Sequence, residues 1–147
     1  MTTPHATYQD ADLIMKLYDL RREERLRTAR AWFMANVNVK SAAEVMEKFP
    51  LGSDHNAYFR MVLGYWDMAA SFLTRGVVHE ELFFENSTEM LAVWERSKGF
   101  VEDFRKVRNN PLPFQNLEKA AKKQIEWLTR NAPGAYEGLL AMINPKK

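Results

Sequence analysis

Hydrophobic positions recur every three to four residues along most of the chain, and no run alternates in the manner of a β-strand. The pattern breaks where proline or glycine stands beside turn-forming residues, around 50–53, 76, 109–113 and 131–134. The predicted helices cover about 10–36, a short segment after 41, 54–75, 80–85, 87–108, 115–130 and a C-terminal stretch beginning at Pro133. The pattern predicts an all-α fold, a single-domain antiparallel bundle of six to seven helices over residues 10–144, after a flexible N-terminus at 1–9.

Several helix ends carry recognisable local signals. Ser41 and Glu44 have the spacing of a capping box, in which each side chain accepts a hydrogen bond from the other residue's amide. Gly76 stands where a left-handed residue would end the helix at 54–75. That helix has two adjacent apolar stripes, so we expect it to lie in the core. Gly64 in its interior predicts close backbone packing, because glycine there costs about 1 kcal/mol relative to alanine.

Composition excludes some chemistry. The chain has 147 residues, of which 46% are hydrophobic and 27% charged, and it has no cysteine. Disulfides, thiolate metal sites and cysteine nucleophiles are therefore impossible. No basic segment followed by an apolar run opens the chain, and no apolar stretch approaches the roughly 20 residues that span a bilayer. We therefore expect a cytoplasmic protein without membrane contact.

The net charge of +2 conceals an uneven distribution. Residues 51–100 carry four basic and seven acidic side chains, although a helix–glycine–helix element around Gly76 outlines a helix-turn-helix. Its second helix, at 79–86, has three acidic residues and no lysine or arginine, so it would repel phosphates. The arginine-rich segment at 21–30 also contains glutamates and predicts a solvated helix face. We expect no nucleic-acid partner.

The sequence YWDMAASFLTRGVVHEELFF at residues 65–84 has a distinctive order. An aromatic helix ends in Arg-Gly, two valines follow, and an acidic short helix begins. Trp94 then opens a segment that closes with Phe104 and Arg105. Over residues 58–108 this pattern resembles a family of small bacterial helical proteins, domain-of-unknown-function family 4760. The resemblance implies an all-helical fold and carries over no catalytic or binding residue.

No catalytic or metal-binding constellation is evident. The three histidines, His5, His55 and His79, stand in no Glu-x-x-His pair of the kind that di-iron bundles use. Motifs for a serine nucleophile or a phosphate-binding glycine loop are also missing. We therefore expect no enzyme activity, no catalytic residue, no metal and no cofactor.

Two candidate sites follow from residues that break the helical pattern. Arg60, Asp67, Ser97 and Gln124 interrupt or flank apolar stripes, and if they converge they would line a small-molecule pocket with aromatic walls. The alternative is that Ser97 bonds to its own helix, Gln124 bridges helices, and the other two are solvated.

The second candidate is a protein interface. Leu82, Phe83 and Phe84 point in directions spread over about 200° around a short helix, so a single core cannot easily cover all three. Trp32 and Phe33 are also consecutive and present the same difficulty. Exposed aromatic residues are typical of interfaces, although a helix held between two layers would bury them as well. We expect a protein that acts through a protein partner or self-association, with small-molecule binding as the alternative.

Overall fold

The computed structural model describes residues 4–144, and within that range it is helical with no strand. Its eight helices are α1 (Tyr8–Arg22), α2 (Glu24–Asn36), α3 (Ala42–Lys48), α4 (Asp54–Thr74), α5 (Glu80–Glu85), α6 (Thr88–Arg108), α7 (Gln115–Asn131) and α8 (Ala135–Ile143). The predicted all-α fold is confirmed. The count exceeds six to seven because the first predicted helix is divided in two.

The division lies at Glu23, whose backbone leaves the helical region at φ −56° and ψ 137°. Its carboxylate accepts hydrogen bonds from the amides of Arg25 and Leu26, so it caps the start of α2. These amide donors hold the pKa of Glu23 below its ordinary value. Hydrophobic residues continue on both sides of the break, which is why periodicity predicted one uninterrupted helix.

The N-terminal boundary also differs from the prediction. Within the segment 1–9, residues 1–3 lie outside the described residues, and α1 already begins at Tyr8. Thr7 and Asp10 form a capping box, with the Thr7 amide donating to Asp10 at 2.8 Å. A further contact joins the backbone oxygen of Pro4 to Nε2 of His79 at 2.8 Å.

Helix α4 is the centre of the core, as its two apolar stripes predicted. It packs against α2, α6 and α7. Its buried residues are Asn56, Phe59, Val62, Leu63, Tyr65, Trp66, Ala69, Ala70 and Leu73. The expectation for Gly64 was wrong: the residue is exposed, and a Cβ at this position would meet no atom within 4 Å. Gly76 does end the helix in a left-handed conformation, at φ +74°.

A polar cluster ties α2 to α4 and α6. Arg30 donates two hydrogen bonds to the carboxylate of Glu89, at 2.8 and 3.0 Å. The indole nitrogen of Trp66 donates to the same carboxylate at 3.0 Å. Because all three side chains are at least half-buried, this bidentate pair sets the position of α2 on the core.

The segment 37–41 crosses α6 at very short range. The Val39 amide donates to the Arg96 carbonyl oxygen at 2.9 Å. One turn further along α6, a Cβ on Gly99 would lie 2.7 Å from the carbonyl oxygen of Lys40. Only glycine leaves room for the crossing backbone, so Gly99 is where the chain lies directly on the helix.

Helix α3 is positioned by the same crossing. The Ala42 amide donates to the Asp103 carboxylate of α6 at 2.7 Å, and Ser41 accepts from the Glu44 amide at 3.1 Å. The serine half of the predicted capping box is therefore present. The Glu44 side chain instead accepts from the Lys40 amide at 2.9 Å, one residue earlier than the motif requires.

Helix α8 is capped by Gly134 rather than opened by Pro133, and it is attached to α6 by the hydroxyl of Tyr136, which donates to Glu95. Burial, together with the hydrogen bond to the nearby Glu95 carboxylate, raises the pKa of Tyr136 to about 12. The folded pKa exceeds the ordinary value of 10.0. The contribution of this contact to stability is therefore complete below about pH 10 and is lost as the pH rises through about 12.

Candidate functional site

An apolar cavity of about 360 Å³ lies between α3, α4, α6 and the start of α7. Ten of its thirteen lining residues are hydrophobic. The lining consists of Ala42, Val45, Met46, Leu51, Asn56, Phe59, Arg60, Leu63, Phe100, Phe104, Val107, Arg108 and Phe114. Protein interiors are usually packed with few voids larger than a water molecule, so a space of this size next to the core is a candidate binding site.

A row of phenylalanine rings forms one side of the cavity. Phe59 and Phe100 meet edge-to-face with centroids 5.0 Å apart, and Phe104 lies 5.2 Å beyond Phe100. Phe114 continues the row at 6.4 Å from Phe104. These rings are held by helices on both sides, so the wall is preformed and offers flat apolar surfaces to a ligand.

Phe114 occupies an unusual backbone conformation. It caps α7 at φ +59° and ψ 25°, in the left-handed region that bulky residues rarely adopt. Arg105 holds the loop in front of it, because its Nε donates to the Pro113 carbonyl oxygen and its Nη1 to Glu118, both at 2.9 Å. Burial raises the pKa of Glu118, but the hydrogen bonds from Arg105 and Lys122 outweigh this and hold it below its ordinary value. The fold thus keeps a strained aromatic residue against the cavity.

The mouth of the cavity combines apolar and basic side chains. Leu51 is 69% exposed, Val107 70% and Met46 47%, so a rim of hydrophobic surface surrounds the opening. Arg60 and Arg108 are exposed at the same opening. The structure therefore provides an apolar interior, an apolar rim and two positive charges.

The predicted pocket of Arg60, Asp67, Ser97 and Gln124 does not form, although its first member belongs to the cavity just described. Arg60 lines that cavity and donates from Nε to Asn56 Oδ1 at 2.9 Å. Asp67 points to another neighbour: it accepts a hydrogen bond from the Leu117 amide at 3.0 Å and so caps the first turn of α7. The two side chains lie on the same strip of α4 but form hydrogen bonds with different parts of the structure.

The remaining two residues of that set are buried and serve packing. Ser97 donates to the Val93 carbonyl oxygen of its own helix at 2.7 Å. Gln124 bridges helices by donating to the Ser87 carbonyl oxygen at 3.2 Å. Both observations match the alternative given for these residues, in which polar side chains within apolar stripes form hydrogen bonds with backbone carbonyl groups.

The residues predicted to form an interface lie mostly inside the molecule. Phe33, Phe83 and Phe84 have no exposed surface, and Leu82 and Trp32 are half-buried. They are buried because both sides of each helix have neighbours. The Phe84 ring lies 5.5 Å from Trp127 of α7, the Phe33 ring 6.0 Å from Phe59 of α4, and Trp32 stacks on His55 at 4.9 Å. These residues therefore offer no exposed aromatic patch.

Sequence reasoning missed the cavity because its residues come from four separate segments. Each phenylalanine follows the helical periodicity and so reads as ordinary core. The closest signal was the i, i+4 pair of Phe100 and Phe104 followed by a third ring in the loop before α7. Nothing in that spacing indicates that the rings enclose a space instead of filling it.

Within 4–144, no three histidine, aspartate or glutamate side chains form a group that could hold a metal ion. None of the helices in this range is long and apolar enough to cross a membrane.

The fold and site thus define an all-helical domain with an apolar cavity beside its central helix. The family model described as Domain of unknown function (DUF4760) matches residues 6–127, and the chain belongs to this family. The match includes every residue that lines the cavity and ends before α8. No curated protein and no solved structure matches the chain.

Proposed function

We propose that this protein binds a small apolar or amphipathic molecule in the cavity between α3, α4 and α6. The observation that carries the proposal is the space itself, about 360 Å³ enclosed largely by hydrophobic side chains. Ligand sites in proteins are typically concave, mostly apolar and preformed, with volumes of roughly 300–1,000 Å³. The cavity meets each of these conditions.

The expected strength of binding follows from the chemistry of the wall. An apolar void of about 150 Å³ is already enough to bind benzene, so the present cavity can take a larger body. Each methylene group moved from water into such a surrounding contributes about 0.8 kcal/mol. A chain of several methylenes would therefore gain enough from burial to bind measurably.

Binding should be blocked by filling the cavity from α3. Ala42 lines the cavity and its neighbour Ala43 is exposed outside it, so Ala42→Phe and Ala43→Phe form a matched pair. We expect the neutral fluorescent probe N-phenylnaphthylamine to bind the wild type saturably, and Ala42→Phe to weaken this binding about tenfold or more. Ala43→Phe should bind as the wild type does.

Circular dichroism and the thermal midpoint would show that both variants remain folded. Absence of saturable binding to the wild type would overturn the proposal. Equal affinity of the wild type and Ala42→Phe would overturn it as well, because the probe would then bind elsewhere.

A protein contact is the second candidate, and the exposed rim favours it. Leu51, Val107 and Met46 place hydrophobic surface together at the mouth, and such surface is typical of interaction sites. The occupant we propose is a second copy of the chain. This candidate retains the interaction function expected from the sequence but moves it away from α5 to the rim of the cavity.

If the chain self-associates through the rim, a charged residue placed there should weaken the dimer. We expect light scattering over a range of concentrations to show a monomer–dimer equilibrium, which Leu51→Glu should weaken about tenfold by placing a carboxylate in apolar contact. Val77→Glu, at a position 59% exposed in the loop between α4 and α5, should leave it unchanged. A strictly monomeric wild type at high concentration would rule this candidate out.

A further inference from the structure

The polar residues that line the cavity are one asparagine and two arginines, and no carboxylate is among them. The two positive charges stand at the open end, whereas the interior is made of phenylalanine and aliphatic side chains. A site of this composition separates a charged end from an apolar end. Such a separation would favour ligands that carry an anionic group at one end of an apolar body.

Arg60 is held in position at this opening. Its Nε donates to Oδ1 of Asn56, which is only 3% exposed. Asn56 is fixed in turn, because its Nδ2 donates to the Phe49 carbonyl oxygen at 2.8 Å. Among the described residues no carboxylate forms an ion pair with Arg60, and its two Nη atoms make no hydrogen bond. The guanidinium is oriented and still able to bind an anion.

Arg108 is the last residue of α6 and has a comparable arrangement. Its guanidinium carbon lies 5.1 Å from the centre of the Phe104 ring, which belongs to the cavity wall. This stacking holds the positive charge at the edge of the apolar space. Arg30 and Arg105 each pair with a glutamate, but within the described part of the chain Arg108 has no acidic partner.

We infer, on the basis of the proposed function, that the ligand is an amphipathic anion whose apolar body enters the phenylalanine-lined cavity and whose carboxylate or phosphate head binds Arg60 and Arg108. Guanidinium groups match the geometry of both kinds of head with paired N–H donors. An alkyl chain with a terminal anion has the charge separation that the cavity and its mouth provide.

The experiment compares ligands with one chain and different heads. Decanoate, decyl phosphate, decanol and decylamine would be titrated calorimetrically below their micelle concentrations. We expect one or both anions to bind about tenfold or more tightly than decanol, and decylamine to bind most weakly. Raising the salt concentration should reduce the preference for the anion, since the arginines are exposed.

Substitutions of the two arginines test whether they cause the preference for an anionic head. Arg60→Gln with Arg108→Gln should bring the affinity of the anions down to the affinity that decanol has for the same variant. Arg27→Gln, an exposed arginine of α2 that does not line the cavity, is the matched control and should retain the preference.

The results distinguish recognition of an anionic head from binding in the cavity as such. Equal binding of the anions and decanol, or a preference that survives the double substitution, would overturn the inference and leave cavity binding intact. Failure of all four compounds and of the neutral probe to bind would overturn both. The relative affinities of decanoate and decyl phosphate identify which anionic head the site favours.

Discussion

Replacement of Phe83 by alanine is expected to lower the free energy of unfolding by about 3–5 kcal/mol, the usual cost of removing a buried aromatic side chain. Phe83 has no exposed surface, and its ring packs 6.2 Å from that of Phe84. Helix α5 has only six residues, so it depends on its buried side chains for its position. Chemical denaturation followed by circular dichroism would measure the loss.

The neighbouring residue provides the control. Leu82 is half-buried on the same short helix, and Leu82→Ala should cost only about 1 kcal/mol, the typical effect of a single substitution. Light scattering should show the same oligomeric state for the Phe83→Ala variant as for the wild type. A Phe83→Ala variant that is as stable as Leu82→Ala but dissociates an oligomer would contradict the burial and support an interface at α5.

The second large effect is expected at Gly99. An alanine Cβ there would lie 2.7, 2.9 and 3.0 Å from three backbone atoms of Lys40, which cannot move aside as a flexible side chain would. The crossing segment must therefore shift, and we expect Gly99→Ala to lower the free energy of unfolding by about 1–3 kcal/mol. Because this segment positions α3 over the cavity, probe binding should weaken as well.

Gly64→Ala is the matched control, since it makes the same change in the interior of α4. Gly64 is exposed and a Cβ there would meet nothing within 4 Å, so alanine gains its helix propensity without a clash. We expect this variant to be more stable than the wild type by about 1 kcal/mol. Thermal and urea denaturation of both variants would give the comparison. An equal response at the two positions would show that the contact with Lys40 has no energetic consequence.

The helices and their ends could be predicted from the sequence because their causes are local. The period of hydrophobic residues identified α4 as a core helix, and Gly76 marked its end. The break at Glu23 could not be predicted in this way, because its cause is a carboxylate that caps the next helix while the apolar pattern continues. Gly64 and Gly99 likewise show that the sequence does not reveal whether a glycine within a helix marks a close backbone contact, because that depends on the neighbouring chain.

The sites depended on packing between distant segments. Arg60 lines the cavity without the three residues named beside it as a possible pocket, because Asp67, Ser97 and Gln124 satisfy backbone groups elsewhere. Phe83 was a candidate interface residue, and the sequence left open whether it is exposed or buried between two layers of helices. It is buried because its helix has neighbours on more than one side.

The sequence by itself determined an all-helical chain, the position of most helix ends, the absence of thiol chemistry and membership of a helical family. Only the tertiary structure decided which hydrophobic residues fill space and which enclose it. Periodicity reports the face of a helix that avoids water, whereas a cavity depends on the distance between several such faces. That distance is set by contacts such as Lys40 on Gly99 and Asp103 at the start of α3, which join residues far apart in the chain.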